Sequence, residues 1–145
     1  MNSVYTHRVA VNAYLLKGDK FLLLKRNNPP RLWAPPGGRL LKDEDPRSGL
    51  HREVKEETNL DITIIAPVNT WFGEFSGNQY LLSIDFLAVV KSGEIALSDE
   101  HSAYRWLTLS DLIKGSPVLL DSPIGFQVSD FQKAHRVARC WQVIG

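Results

Sequence analysis

A single cysteine, Cys140, stands among 145 residues. No internal disulfide can form, which suits a reducing compartment. No apolar run approaches the roughly 20 residues needed to span a bilayer, and the N-terminal MNSVYTHRVAV lacks the long apolar core of a secretory signal. Charge of one sign is also missing. The formal net charge is +1, so there is no large electrostatic footprint for duplex nucleic acid, and only a small local basic patch stays compatible with it. Repeats, low-complexity tracts and linkers are absent as well. These absences lead us to expect one cytoplasmic domain over residues 1–145, with no membrane partner and no duplex nucleic-acid partner.

What is present is enough apolar sequence for a core, 43% of the chain. Arg8 to Lys17 and Lys20 to Arg26 read as two strands of a hairpin turning at Gly18-Asp19. Asn27 to Gly38 holds four prolines and two glycines and reads mostly as loop. Asp61 to Phe72 reads as a strand with a break near Pro67, and Gly73 to Asn78 as a turn. Gln79 to Lys91 is the longest strand candidate, and Tyr104 to Leu107 is a short one. Ser129 to Val143 reads as a helix capped by Ser129, with Phe131, Ala134, His135, Ala138 and Trp141 near one face. Strands around one central helix, with a helix closing the chain, imply an α/β sandwich whose mixed sheet is covered by helices.

The central helix begins at Asp45-Pro46. A capping carboxylate precedes a proline whose missing N–H is harmless at the first helical position. The helix should run to about Thr58 and stop at Asn59, which tolerates the left-handed conformation common past a helix end. Within it, Glu53, Glu56 and Glu57 stand at i, i+3 and i+4 and share one side. Like charges so placed repel by a few tenths of a kcal/mol per pair. A solvated face with Arg52 and Lys55 as counter-charges accounts for such a cluster. So does a hard divalent cation such as Mg²⁺, which takes carboxylate oxygens and also binds substrate phosphates.

Gly38 to Leu60 resembles the Nudix signature, G-x5-E-x7-R-E-U-x-E-E-x-G-U with U aliphatic. The matching residues are Gly38, Glu44, Arg52, Glu53, Val54, Glu56, Glu57 and Leu60, and Asn59 departs by standing where the family has glycine. Asn is the next most tolerant residue for positive φ, so the fold should survive the exchange. The resemblance implies a Nudix-like α/β/α sandwich with a mixed central sheet. It also implies metal ligation by Glu53, Glu56, Glu57 and the carbonyl of Gly37, with Glu57 foremost. Arg52 and Glu44 would hold the loop and the glutamates in place, Arg52 thereby serving the catalytic set, with Gly38 and Asn59 structural in the motif. The cofactor implied is Mg²⁺, with Mn²⁺ as an alternative, and dimers are common in the family.

Further candidates lie outside the signature. Glu100 is a second choice of general base beside Glu53, or an extra metal ligand, with Asp99 its neighbouring competitor. His101 could assist, though a lone loop histidine reads first as a surface residue. Arg26 and Arg39 could bind phosphates through their forked guanidinium groups. Trp33, Trp71, Phe72, Phe75 and Tyr80 are candidate stacking platforms, with Phe75 best placed for exposure between Gly73 and Gly77. Trp106, Phe131 and Trp141 read as packing. Gly49, costly in mid-helix by roughly 1 kcal/mol against Ala, reads as an aid to packing the helix on the sheet.

The implied reaction is water attack on a phosphorus of an X–O–P–O–P unit in a nucleotide, with no nucleophilic side chain required. Subclass tags act only by exclusion. There is no SQPWPFP string, no proline about fifteen residues beyond the signature, and Tyr80 is near but not clearly at the tyrosine position of the dinucleoside polyphosphate group. Nucleoside or deoxynucleoside triphosphates therefore lead. ADP-ribose, dinucleoside polyphosphates and the 5′-triphosphate end of RNA are alternatives, and a non-catalytic nucleotide sensor is a reading from another class.

Overall fold

A computed structural model describes residues 6–144, and of Phe75 and Ser76 the backbone alone. The chain runs β1 (Arg8–Lys17), β2 (Lys20–Arg26), β3 (Trp33–Ala34), β4 (Gly37–Arg39), α1 (Pro46–Thr58), β5 (Asp61–Ser76), β6 (Gln79–Ser92), β7 (His101–Thr108), α2 (Leu109–Lys114) and α3 (Val128–Cys140). The sheet is mixed. β1 pairs with β6 in parallel and with β2 and β4 antiparallel, while β5 lies antiparallel to β6 and β7 antiparallel to β2.

Alternation along the two first strands divides the core between the two faces of this sheet. Val11, Ala13 and Leu15 of β1, with Leu22 and Leu24 of β2, pack with Leu50 and Val54 of α1. Their neighbours Tyr14, Leu16, Phe21 and Leu23 pack on the other face with Leu112 of α2 and Phe131, Ala134 and Ala138 of α3. The architecture is thus the expected α/β/α sandwich. Burying Leu50 and Val54 fully stabilises by about 1.5–3 kcal/mol each. That outweighs the few tenths lost per pair of crowded glutamates on the adjoining side of α1.

The ends of α1 fall where the sequence places them. Asp45 Oδ2 accepts from the Ser48 amide at 3.0 Å, Pro46 opens the helix, and Asn59 closes it at φ 68°. Asn59 Nδ2 also donates to the Glu94 carbonyl at 3.3 Å, so Asn at this position ties the helix end to the loop that follows β6.

Several boundaries differ from the sequence reading. Gly73 to Ser76 belongs to β5, and the turn is only Gly77-Asn78, both at positive φ (41° and 65°). Such a two-residue turn matches strand twist, so the strands continue to its edge. β5, with 16 residues, is therefore longer than β6, with 14. α3 begins at Val128 and ends at Cys140. Its cap is Gln127, whose side-chain nitrogen donates to the Ser122 and Gly125 carbonyls and whose backbone N–H donates to Asp130 at 2.8 Å, so Ser129 is inside the helix. Trp141 is 61% exposed rather than packed. α2, capped reciprocally by Thr108 and Asp111, is too short for helical periodicity to register.

Candidate active site

The loop–helix segment from Gly37 to Glu57 is organised by one guanidinium. Arg52 donates to Glu44 twice, Nε at 2.7 Å and Nη2 at 2.9 Å, to Glu53 and Glu56 through Nη1 at 3.1 Å each, and to the Arg39 carbonyl at 3.3 Å. This is the bidentate geometry in which arginine surpasses lysine. The Arg52 bond, with a backbone N–H from Leu41 at 3.0 Å, holds the Glu44 carboxyl down at about 2. The i,i+4 contact with Glu56 and the loop-holding role coexist in one side chain. Gly49 sits beneath this cluster. A Cβ there would strike Leu40 and come within 3.0 Å of Glu44 Oε1. Its smallness serves the loop before the helix rather than the sheet.

Three glutamates share a side of α1 but not an environment. Glu57 is 5% exposed. Its Oε1 accepts from the Gly37 amide at 2.8 Å, and burial, aided by the charges of Glu53 and Glu100, pushes its carboxyl up to about 8. Burial also raises Glu53. Glu56, turned about 100° away by helix geometry, keeps a side chain 58% exposed. The two glycines are places of close approach. A Cβ on Gly38 would lie 2.6 Å from the Glu53 carboxylate, and one on Gly37 would overlap the Val11 carbonyl and Asn12 Oδ1.

These groups line one cleft of about 390 Å³ together with Asn12, Arg26, Ala34, Pro35, Arg39, Glu100, His101 and Phe126. Arg26, Gly37, Arg39, Glu53, Glu56, Glu57 and Glu100, separated by up to 74 positions in sequence, thus meet. Trp33, Trp71, Phe72 and Tyr80 do not line it; Phe72 and Tyr80 stack on each other, centroids 5.6 Å apart. The side chain of Phe75 lies outside the described residues.

Two polar residues of the cleft, His101 and Asn12, stand differently from the sequence reading. His101 is not a surface histidine. It is paired opposite Arg26, with a side chain 9% exposed and Nε2 3.9 Å from Glu57 Oε2, and burial lowers its pKa. Its Nδ1 is buried without a hydrogen-bond partner. Strand alternation reveals it once β7 is started at His101 rather than at Tyr104. Asn12 is the other. Its signal is a polar residue inside the apolar run of β1, matched by Asp85 inside that of β6. Asp85 is 2% exposed; burial raises its carboxyl, against the pull of Ser83, Asn12 and Tyr14.

Among the described residues, no three His, Cys, Asp or Glu side chains converge tightly enough to cage an ion unaided. Mg²⁺ does not require a cage, since it binds through one or two carboxylates, waters and substrate phosphates. Glu57 and Glu53 fit that need: hard oxygen donors, crowded with like charge and lining the same cleft as the glycine turn. No described helix is long and apolar enough to cross a membrane.

The NUDIX domain model matches residues 6–123. The chain is 33% identical over 99 residues to an asymmetrical bis(5′-nucleosyl)-tetraphosphatase of Caenorhabditis elegans, covering 66% of this chain and 72% of that protein. It is also 33% identical over 119 residues to an ADP-ribose pyrophosphatase of Methanocaldococcus jannaschii, covering 77% and 68%. Among solved structures, the C. elegans Ap4A hydrolase binary complex superposes with a TM-score of 0.71 at 25% identity, covering 94% of this chain and 98% of that one. A UDP-X diphosphatase superposes with a TM-score of 0.78, covering 97% and 66%; at 16% identity it speaks for the fold alone.

Proposed function

Since the chain belongs to the Nudix family of hydrolases, we propose that it hydrolyses a phosphoric anhydride bond of a nucleotide, with a divalent cation held at the Glu53–Glu57 end of its cleft. One observation carries this reading. A buried carboxylate, Glu57, a half-buried one that repels it, Glu53, and Glu100 line the same cleft as the Gly37-Gly38 turn and two arginines.

Nudix hydrolases generally use divalent metal ions. Glu57, Glu53 and the Gly37 carbonyl are the residues that would hold one, with Glu56 at its edge, and the ion would neutralise phosphate oxygens and acidify the attacking water. Arg52 fixes the rotamers of Glu53 and Glu56. Arg26 and Arg39 bind phosphate oxygens. Glu53 or Glu100 takes the proton of the attacking water. No side chain need act as nucleophile, so Arg52 and Gly38 serve the reaction by position alone.

Nucleoside and deoxynucleoside triphosphates are the substrates we favour, because the tags of the narrower subclasses are absent. The relatives named above support a second reading, cleavage of a dinucleoside tetraphosphate or of ADP-ribose. One panel decides: product analysis on NTPs, dNTPs, Ap4A and ADP-ribose with Mg²⁺ or Mn²⁺ and with excess chelator. Turnover should need the metal and be fastest on one of these compounds. Undiminished turnover in chelator removes the metal, and no turnover on any member removes the hydrolase reading.

A further inference from the structure

Asn12 is the point where the cleft meets the buried polar chain beneath it. Asn12 Nδ2 donates to Ser83 Oγ at 2.9 Å and to Asp85 Oδ1 at 3.0 Å. Ser83 Oγ donates onward to Asp85 Oδ1 at 2.7 Å, and Tyr14 OH donates to Asp85 Oδ2 at 3.2 Å. Both hydrogens of the Asn12 amide are therefore committed downward, to two buried residues. A side-chain amide has two more hydrogen-bonding sites, the lone pairs of its oxygen. Among the described residues, Asn12 Oδ1 has no hydrogen-bond partner. It is not a buried orphan either, since the only such atom among the described residues is His101 Nδ1.

The exposed part of Asn12 must be this oxygen. Its backbone is paired on both sides, to Gly37 of β4 and Asp85 of β6, and its nitrogen is engaged below. Oδ1 lies over the Gly37 Cα, at the place a Cβ would occupy, and Asn12 and Gly37 line the same cleft. Phe126 lines it too and packs edge-on against Tyr14, centroids 6.2 Å apart. An aromatic ring and an acceptor of fixed polarity thus stand beside the phosphate end.

We propose that Asn12 is a specificity-determining residue whose Oδ1, locked as an acceptor by the Ser83–Asp85 pair, reads a hydrogen-bond donor on the nucleoside part of the substrate. The inference rests on the cleft being the nucleotide site. Two donors share this chemistry, an amino group of the base and a hydroxyl of the sugar. A site that has desolvated an acceptor discriminates strongly against a ligand lacking the donor, because the acceptor is then left unpaired. Asp85 determines the sign of the selection. Asp85 accepts every bond made to it, from Asn12, Ser83 and Tyr14, so the amide keeps its nitrogen toward it and does not turn over. An asparagine at position 85 could donate instead, letting Asn12 present its NH₂ to the cleft.

The test takes the nucleotide that the wild type turns over fastest in paired forms: adenine against hypoxanthine, cytosine against uracil, and ribose against 2′-deoxyribose. kcat/KM ratios are compared for wild type, Asn12→Ala and Asp85→Asn, with thermal melts alongside. Ratios cancel a uniform loss of folded protein. The wild type should prefer the donor-bearing member of the base pairs or the sugar pair by about tenfold or more. Asn12→Ala should bring that ratio to within about twofold of unity, and Asp85→Asn should shrink or invert it for the base pairs. A wild-type ratio preserved in Asn12→Ala across base and sugar pairs overturns the proposal, as does an equal fall for every member. Absence of any turnover by the wild type instead overturns the hydrolase reading.

Discussion

Gly37 and Glu57 are 20 positions apart and joined by one bond, the Gly37 amide donating to Oε1 of the buried carboxylate at 2.8 Å. The bond seats Glu57 against the glycine turn while its second oxygen leans toward His101. The sequence reading places Gly37 beside Glu57 through its carbonyl; the contact observed uses its amide, which leaves the carbonyl for the role proposed above.

The three helix glutamates should rank by burial. Glu57→Gln and Glu53→Gln should each lower kcat/KM by at least about 10²-fold, roughly 2.7 kcal/mol of transition-state stabilisation. Glu56→Gln, at the exposed edge, should cost no more than either. Steady-state kinetics with Mg²⁺ measure this, and near-wild-type kinetics for Glu57→Gln would refute the site.

Stability without metal should depend on pH through Glu57. Its carboxyl is raised from 4.5 to about 8, so between those values the folded protein holds a proton that the unfolded chain has lost. The folded state binds more protons there, and stability falls as pH rises through that window. Glu57→Gln does not titrate. In chelator it should melt higher than wild type at pH 8, by roughly 5 °C or more, and the gap should close toward pH 5. Parallel pH profiles for the two proteins would remove the buried-charge account.

Gly38→Ala should fold and fail. No left-handed φ is needed at this residue, but the new Cβ would lie 2.6 Å from the Glu53 carboxylate. The carboxylate must move while Arg52 still pulls on it, and a displacement near 1 Å costs on the order of 10²-fold in rate. The expected result is a near-native melt with kcat/KM reduced by about that factor. Wild-type activity would show that Glu53 can work from another position.

Glu100→Gln separates base from ligand. Loss of a general base should lower kcat by about 10²-fold or more with little change in Mn²⁺ affinity, measured by titration. A fall in affinity would make Glu100 a ligand, and no change in either would return it to an exposed loop acid.

The local chemistry of α1 is readable because each of its devices lies within a few residues. Asp45, Pro46 and Asn59 mark the ends, and the spacing of Glu53, Glu56 and Glu57 marks the shared side. The hairpin of β1 and β2 is legible for the same reason. Their different burial is not legible, since it depends on β4 and on β7, far away in sequence. His101 is missed because its inward position follows from a strand start three residues earlier than its β-branched and aromatic content suggests. Asn12 and Asp85 look like interruptions of two strands until the parallel pairing of β1 with β6 sets them side by side. Trp141 reads as packing because an aromatic at helical spacing usually packs, yet the helix has ended by that residue.

That parallel pairing also fixes an order in time. Asn12 and Asp85 are neighbours in the sheet but 73 positions apart in the chain, and between them lie the glycine turn, α1 and β5. During synthesis β1 can form its hairpin with β2 at once, yet its other edge, from Arg8 to Leu16, has no partner until β6 leaves the ribosome. Closing so long a loop is an entropic barrier met before any contact rewards it. The helix bearing the carboxylates, marginal by itself at this length, therefore waits for the strand that joins β1 to β5 beneath it. Damage to β6 should accordingly appear first as a lower yield of folded chains, before any change in the turnover of those that fold.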